Sequence, residues 1–131
     1  MDEWMVIPGT EDTGAMGHIS NTVLPRWFQD ARRELLNRFQ PAGEHQRPLV
    51  VVRYEVDIVR QMFPGAPITI RTGLEHIGTS SLRIAQEAWQ HHQLAATGLT
   101  VVVNFDELNQ CSTPLTSTMK AALHPLLISG N

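Results

Sequence analysis

The apolar residues Leu24, Trp27, Phe28, Ala31, Leu35 and Phe39 recur at offsets of three and four, while Arg26, Gln29, Asp30, Arg33, Glu34 and Asn37 fill the positions between them. That spacing predicts a helix with one apolar stripe, hence one buried face. Asn21 and Thr22 are residues of the N-cap type, and Pro25 falls in the first turn, where a missing N–H costs little because those donors have no intrahelical partner. The helix is therefore expected from near Thr22 to Phe39, where the segment QPAGEHQRP stops it and serves as a surface connection to Pro48. Ahead of it, Gly14 and Gly17 punctuate the loop DTGAMGHIS. Glycines there let the backbone take positive φ or approach a ligand closely, so that amides of the first turn face an oxyanion or carbonyl.

The remaining chain reads mostly as strand. Trp4 to Ile7 is a short apolar run ended by Pro8-Gly9. From Leu49 the period becomes two: Val52, Tyr54, Val56 and Ile58 alternate with Arg53, Glu55 and Asp57, as in a half-buried strand. After the break MFPGAP, alternating runs follow from Ile68 to Ile77, from Ser80 to Ala88, and from Leu99 to Phe105. Gly78-Thr79 marks a hairpin between the first two, and His91-His92-Gln93 separates the last two. Short connections imply an antiparallel sheet. Near the end, Thr113 reads as a cap and Pro114 as the first residue of a short terminal helix with Leu115, Met119, Ala122 and Leu123 on its apolar face. The order β-α-β-β-β-β plus a terminal helix offers one long amphipathic element to cover the sheet, so an α+β fold is expected in which an antiparallel sheet wraps around a central helix.

With 131 residues, a 42% hydrophobic share and 18% charged residues, the chain is expected to form one domain over residues 1–131 with a single core. Ten basic and thirteen acidic residues give a formal net charge of -3, which argues against a nucleic-acid-binding surface. Cys111 is the lone cysteine and suits a reducing compartment. The beginning MDEWMVIPG carries acids where a signal peptide carries lysines, and no apolar run approaches a membrane span, so a cytoplasmic protein without a membrane partner is expected.

The stretch DTGAMGHISNTVLPRWFQDARRELL resembles the signature of hotdog-fold acyl-CoA thioesterases of the 4-hydroxybenzoyl-CoA thioesterase type, roughly DxDxxGHxNNxxYxxxxEEAR. Asp12 matches the first Asp, Gly17-His18 the GH, Ser20-Asn21 the NN pair, and Gln29-Asp30-Ala31-Arg32 the EEAR segment. The second Asp of DxD, the family's usual catalytic carboxylate, is here Gly14. The resemblance implies the hotdog fold, thioester hydrolysis without a cofactor, and a homodimer or homotetramer whose subunits pair their sheets edge to edge, with the acyl-CoA site beside the N-terminus of the central helix. It also implies a backbone oxyanion donor at Asn21 with Gly17 shaping the turn, and catalytic candidates Asp12, Gly17, His18 and Asn21.

Gly14 supplies no base, and Asp12, Glu11, His18, or Glu55 and Asp57 from a partner's strand are the alternatives for activating water. For coenzyme A the candidates are Arg71, Thr79, Ser80, Ser81 and Arg83, because HIGTSSLRI resembles the family stretch near the pantetheine and phosphates, and such side chains pair with phosphate oxygens. No metal site is expected, since neighbouring strand residues such as His91 and His92 point to opposite faces. The competing reading is a hotdog protein that binds acyl thioesters without turnover.

Overall fold

The computed structural model describes residues 1–14, 16–39 and 49–128. Strand β1 spans Asp2–Val6, helix α1 Leu24–Arg38, and then come β2 (Leu49–Ile58), β3 (Ile68–Ile77), β4 (Ser81–Gln90), β5 (Gln93–Asp106), β6 (Cys111–Ser112) and helix α2 (Ser117–Leu123). The sheet is antiparallel with order β1-β3-β4-β5-β2, and β6 pairs with the end of β5. The connection expected over residues 40–48 lies outside the described residues.

Alternation decides which face of the sheet is covered. On β4, Leu82, Ile84, Gln86, Ala88 and Gln90 are all buried, and every residue between them is partly exposed. Leu24, Trp27, Phe28 and Ala31 of α1 pack on the inner face with Ile68, Ile70, Ala88 and Ala96. At the other end, Leu36 and Phe39 meet Leu74, Leu82, Ile84 and Val102, a cluster closed by Leu115, Met119 and Leu123 of the terminal segment. The helix start therefore lies over the Ile68/Gln90 end of the sheet, and its finish over the Ile77/Ser81 end.

Several boundaries differ from expectation, each for a local reason. Strand β1 ends at Val6, the last residue paired with β3. Helix α1 starts two residues later than expected and has no side-chain cap. Ser20 Oγ accepts the Thr22 N–H (3.3 Å) and shares a hydrogen bond with the Thr22 hydroxyl (2.8 Å), and Val23 N–H donates to Ser20 O, so residues 21–23 form a turn instead of a capped first turn. Strand β5 begins at Gln93 because His91 and His92, both with left-handed φ (54° and 60°), make a two-residue turn that leaves no loop to spend. Thr113 and Pro114 do not open α2: Thr113 N–H donates to Asn104 O and Leu115 N–H to Thr79 O, docking this segment on the sheet. The cap is Thr116, whose hydroxyl accepts from Met119 N–H at 3.1 Å.

Strand β2 is the larger departure. It is an edge strand, and its helix-side residues, those opposite the buried Val102 and Thr100 of β5, are mostly uncovered, with Val51 44% and Tyr54 40% exposed; a bulge at Val52 interrupts the register, and Val56 packs against the core cluster. The half-buried strand expected from its alternation is exposed because α1 packs on the other strands and leaves this edge open.

Candidate active site

The loop before α1 is a small closed unit. Thr13 and Ile19 form an antiparallel bridge, Gly14 N–H donates to His18 O at 2.8 Å, Gly17 N–H to Gly14 O at 3.2 Å, and Ser20 N–H to Asp12 O at 2.8 Å. The reversal requires φ of 80° at Gly17, where a side chain would be strained. Ile19 N–H is held by Met62 O at 2.6 Å, which fixes the loop to the segment leading into β3.

Asp12 is buried within a single turn of 3-10 helix, Thr10–Asp12. Its Oδ2 accepts the Gly9 N–H at 3.0 Å and its Oδ1 lies 3.6 Å from Arg26 Nη2, so its carboxylate links the loop to the first turn of α1. His18 is half-buried, with Nδ1 3.4 Å from Ile19 O. Asn21 is exposed, and its N–H has no partner among the described residues, at the point where the chain turns into α1. That is the arrangement expected of an oxyanion donor: a free amide beside the positive end of a helix. Gly14 sits among these groups with a backbone outside the left-handed region. A Cβ there would come no closer than 3.9 Å to His18 O and Ser20 Cβ, so the site has room for a side chain.

The coenzyme A candidates are not brought to this loop within one chain. Thr79, Ser80 and Ser81 form the β3–β4 hairpin tip, and Arg83 follows on the outer face, paired with Glu75 at 3.2 Å. From Gln90 to Ser81 along β4 is about 30 Å at about 3.3 Å per residue. Arg71 lies nearer the loop end but also on the outer face, between Glu3 (3.6 Å) and Glu87 (3.7 Å), in a depression of about 620 Å³ shared with Thr69, Trp89, His91 and His92. Glu55 and Asp57 line another outer-face depression with Glu75 and Glu87, away from the helix start.

On the helix side, Arg32 has a fully buried Nη1 without a hydrogen-bond partner among the described residues. Burial pushes its guanidinium below the ordinary value and pushes the neighbouring Tyr54 phenol up. Among the described residues, no three His, Cys, Asp or Glu come together to hold a metal ion, Cys111 is free and exposed, and no helix is long and apolar enough to cross a membrane. Sequence reasoning does not single out Arg26 and Met62, which contact the loop, or Gln90, which binds the turn after Met62. Arg26 and Met62 carry no motif, but Gln90 shares the parity of Leu82, Ile84 and Ala88, and that signal marks it as inward-facing.

The model of the thioesterase-like superfamily matches residues 8–123. Among solved structures, a predicted thioesterase from Bacillus stearothermophilus is 34% identical with a TM-score of 0.86, over 95% of each chain. A thioesterase from Thermus thermophilus, complexed with coenzyme A and Zn, is 26% identical with a TM-score of 0.83, covering 95% of this chain and 92% of that one. A member of the thioesterase superfamily from Jannaschia shares the fold at 17% identity, with a TM-score of 0.86 over 96% of this chain and 92% of that one. A search of the curated proteins finds no match. A family match over most of the chain, joined to a sheet curled around one central helix and the GHxxN loop at that helix's start, makes this chain a hotdog-fold member of the thioesterase-like superfamily.

Proposed function

We propose that the protein hydrolyses an acyl thioester of coenzyme A, or of an acyl carrier, to the free acid and the thiol. The observation that carries this reading is the unpartnered Asn21 amide at the start of α1, beside a loop closed by Gly14, Gly17 and His18. Water adds to the thioester carbonyl, the oxyanion is met by that amide, and the C–S bond breaks as the thiol takes up a proton. One such donor contributes about 2.7–4 kcal/mol. In this reading Asn21 and Gly17 build the oxyanion site, His18 closes the loop, and Asp12 anchors it. Thiol release from a panel of short, medium, long and aromatic acyl-CoAs, and from the matching acyl-carrier thioesters, tests it, and no release from any of them would overturn it.

A symmetric oligomer belongs to the same proposal. β2 is a long edge strand with Val50, Val51, Val52, Tyr54 and Ile58 exposed, a template for pairing with a second copy. Antiparallel pairing of two β2 strands turns the partner's sheet end for end, which carries its Thr79–Arg83 tip toward this chain's helix start. Coenzyme A contacts from Thr79, Ser80, Ser81 and Arg83 are thus proposed to come from the other subunit, and Arg71 to serve the nucleotide from the outer face. A cytoplasmic location is proposed from the exposed, unpaired Cys111.

The second reading, binding without turnover, is favoured by Gly14, which stands where the family carries its catalytic carboxylate. Saturable binding of acyl-CoA with no thiol release is its signature.

A further inference from the structure

Gln90 closes the inner face of β4 at the end that faces the site loop, and it is buried. Its Oε1 accepts the Phe63 N–H at 2.9 Å, and its Nε2 donates to Phe63 O at 2.7 Å and to Ala66 O at 3.1 Å. These three bonds clamp the turn MFPGA, which has no regular structure of its own and carries a left-handed Gly65 (φ 94°). The residue before the clamped Phe63 is Met62, buried in the core, whose carbonyl takes the Ile19 N–H at 2.6 Å. Ile19 lies between His18 and Ser20, two residues before the Asn21 amide. We propose that Gln90 is a positioning residue for the candidate oxyanion loop, acting through Phe63, Met62 O and Ile19 N–H without touching substrate.

The bridge between Thr13 and Ile19, with its flanking bonds from Gly14 N–H to His18 O and from Ser20 N–H to Asp12 O, ties Ile19 to its own loop. Its side chain is packed among apolar residues, which fix depth but not direction; the Met62 carbonyl is the directional bond from Ile19 to the segment leading into β3. The Met62 carbonyl has the required direction only while the turn behind it keeps its shape. A two-sided amide is the side chain suited to this task, since it meets an N–H and two carbonyls at once. Gln86, four residues earlier on the same face of β4, does the corresponding work for the helix: its Nε2 donates to Phe28 O at 2.8 Å and to Thr72 Oγ1 at 3.0 Å. Loop and helix start are thus referred to the same strand.

This inference deepens the hydrolase reading and rests on it for its kinetic arm, but its exchange arm does not. Gln90→Met keeps volume and removes all three bonds. Hydrogen exchange is expected to show at least a tenfold loss of protection at Ile19 N–H, and kcat to fall about tenfold with KM within twofold. Asn104→Leu is the control, a buried amide at the opposite end that donates to Pro114 O, and is expected to lower the melting temperature without either effect. Gln90→Glu, which keeps the acceptor for Phe63 N–H, covers the case in which the Met variant does not fold. Its Ile19 protection is expected to fall at neutral pH and to recover in part on acidification, as the carboxyl becomes a donor. Unchanged Ile19 protection in a folded Gln90 variant overturns the proposal whatever the activity. A wild-type protein that releases no thiol while the exchange result holds overturns the hydrolase reading and leaves the positioning role standing.

Discussion

Phe28 of the central helix packs directly against Gly98 of β5: a Cβ at Gly98 would stand 2.7 Å from Phe28 Cε2 and 2.9 Å from Cδ2. The glycine is what lets the helix sit this deep, because any side chain there meets a ring that is itself completely buried. Gly98→Ala is expected to destabilise by about 1–3 kcal/mol through overpacking, lowering the melting temperature by several degrees. Adding Phe28→Leu to it should restore part of the loss, so the double mutant is expected to be less damaged than the two single effects added together. Additive losses in calorimetry would mean the two residues do not set the helix depth together.

How far the sequence goes is visible at particular residues. Leu24, Trp27, Phe28, Ala31 and Leu35 are all buried where the helical stripe puts them, and β4 alternates as its sequence does. Strand β2 alternates just as well, yet its helix-side residues are mostly exposed. Alternation reports that a face is meant to be covered, and is silent on whether the cover comes from this chain or another. β6 has two residues, too few to carry a period. The GHxxN loop is legible as a motif, but the anchoring of Asp12 by Gly9 N–H and Arg26 is not, because a carboxylate reads the same in sequence whether it faces water or a backbone amide.

The open edge makes a prediction about assembly. Light scattering at micromolar concentration is expected to give at least twice the 14.7 kDa chain mass. Val51→Lys, opposite the buried Val102, places a charge on the uncovered helix-side face of β2 and is expected to shift the mass toward one chain while the isolated subunit stays folded. A wild-type monomer contradicts the edge-pairing reading.

Tyr54 is the chain's single tyrosine, so its titration is directly readable from phenolate absorbance. Burial raises its phenol above the ordinary value, and the Arg32 charge works against that rise. Arg32→Met is therefore expected to move the Tyr54 titration further up. The neutral phenol is the form favoured in the folded state, so the associated stability is complete below the unfolded value of about 10 and is lost as pH rises through the folded one. A downward shift in the Met variant would mean that Arg32 does not face Tyr54.

The last prediction concerns the place where this chain departs from its family. Gly14 lies outside the left-handed region, and a Cβ there finds His18 O and Ser20 Cβ at 3.9 Å, an ordinary contact, so the backbone and Cβ of Gly14→Asp are accommodated. The new carboxylate would stand on the loop that presents the Asn21 amide. A positioned base contributes about 10²–10⁴-fold, and the expectation is a rise in kcat of at least tenfold in thiol release, with the melting temperature changed little. Asp12→Asn is the counter-test. Since the Asp12 carboxylate is engaged by Gly9 N–H and Arg26, its loss is expected to lower the melting temperature and slow hydrolysis by less than tenfold, through a looser loop. If Asp12→Asn instead abolishes hydrolysis in a protein with unchanged melting and mass, Asp12 is the base and the space at Gly14 has no part in the chemistry. If neither the wild type nor Gly14→Asp releases thiol while both bind acyl-CoA, the loop holds thioesters without hydrolysing them.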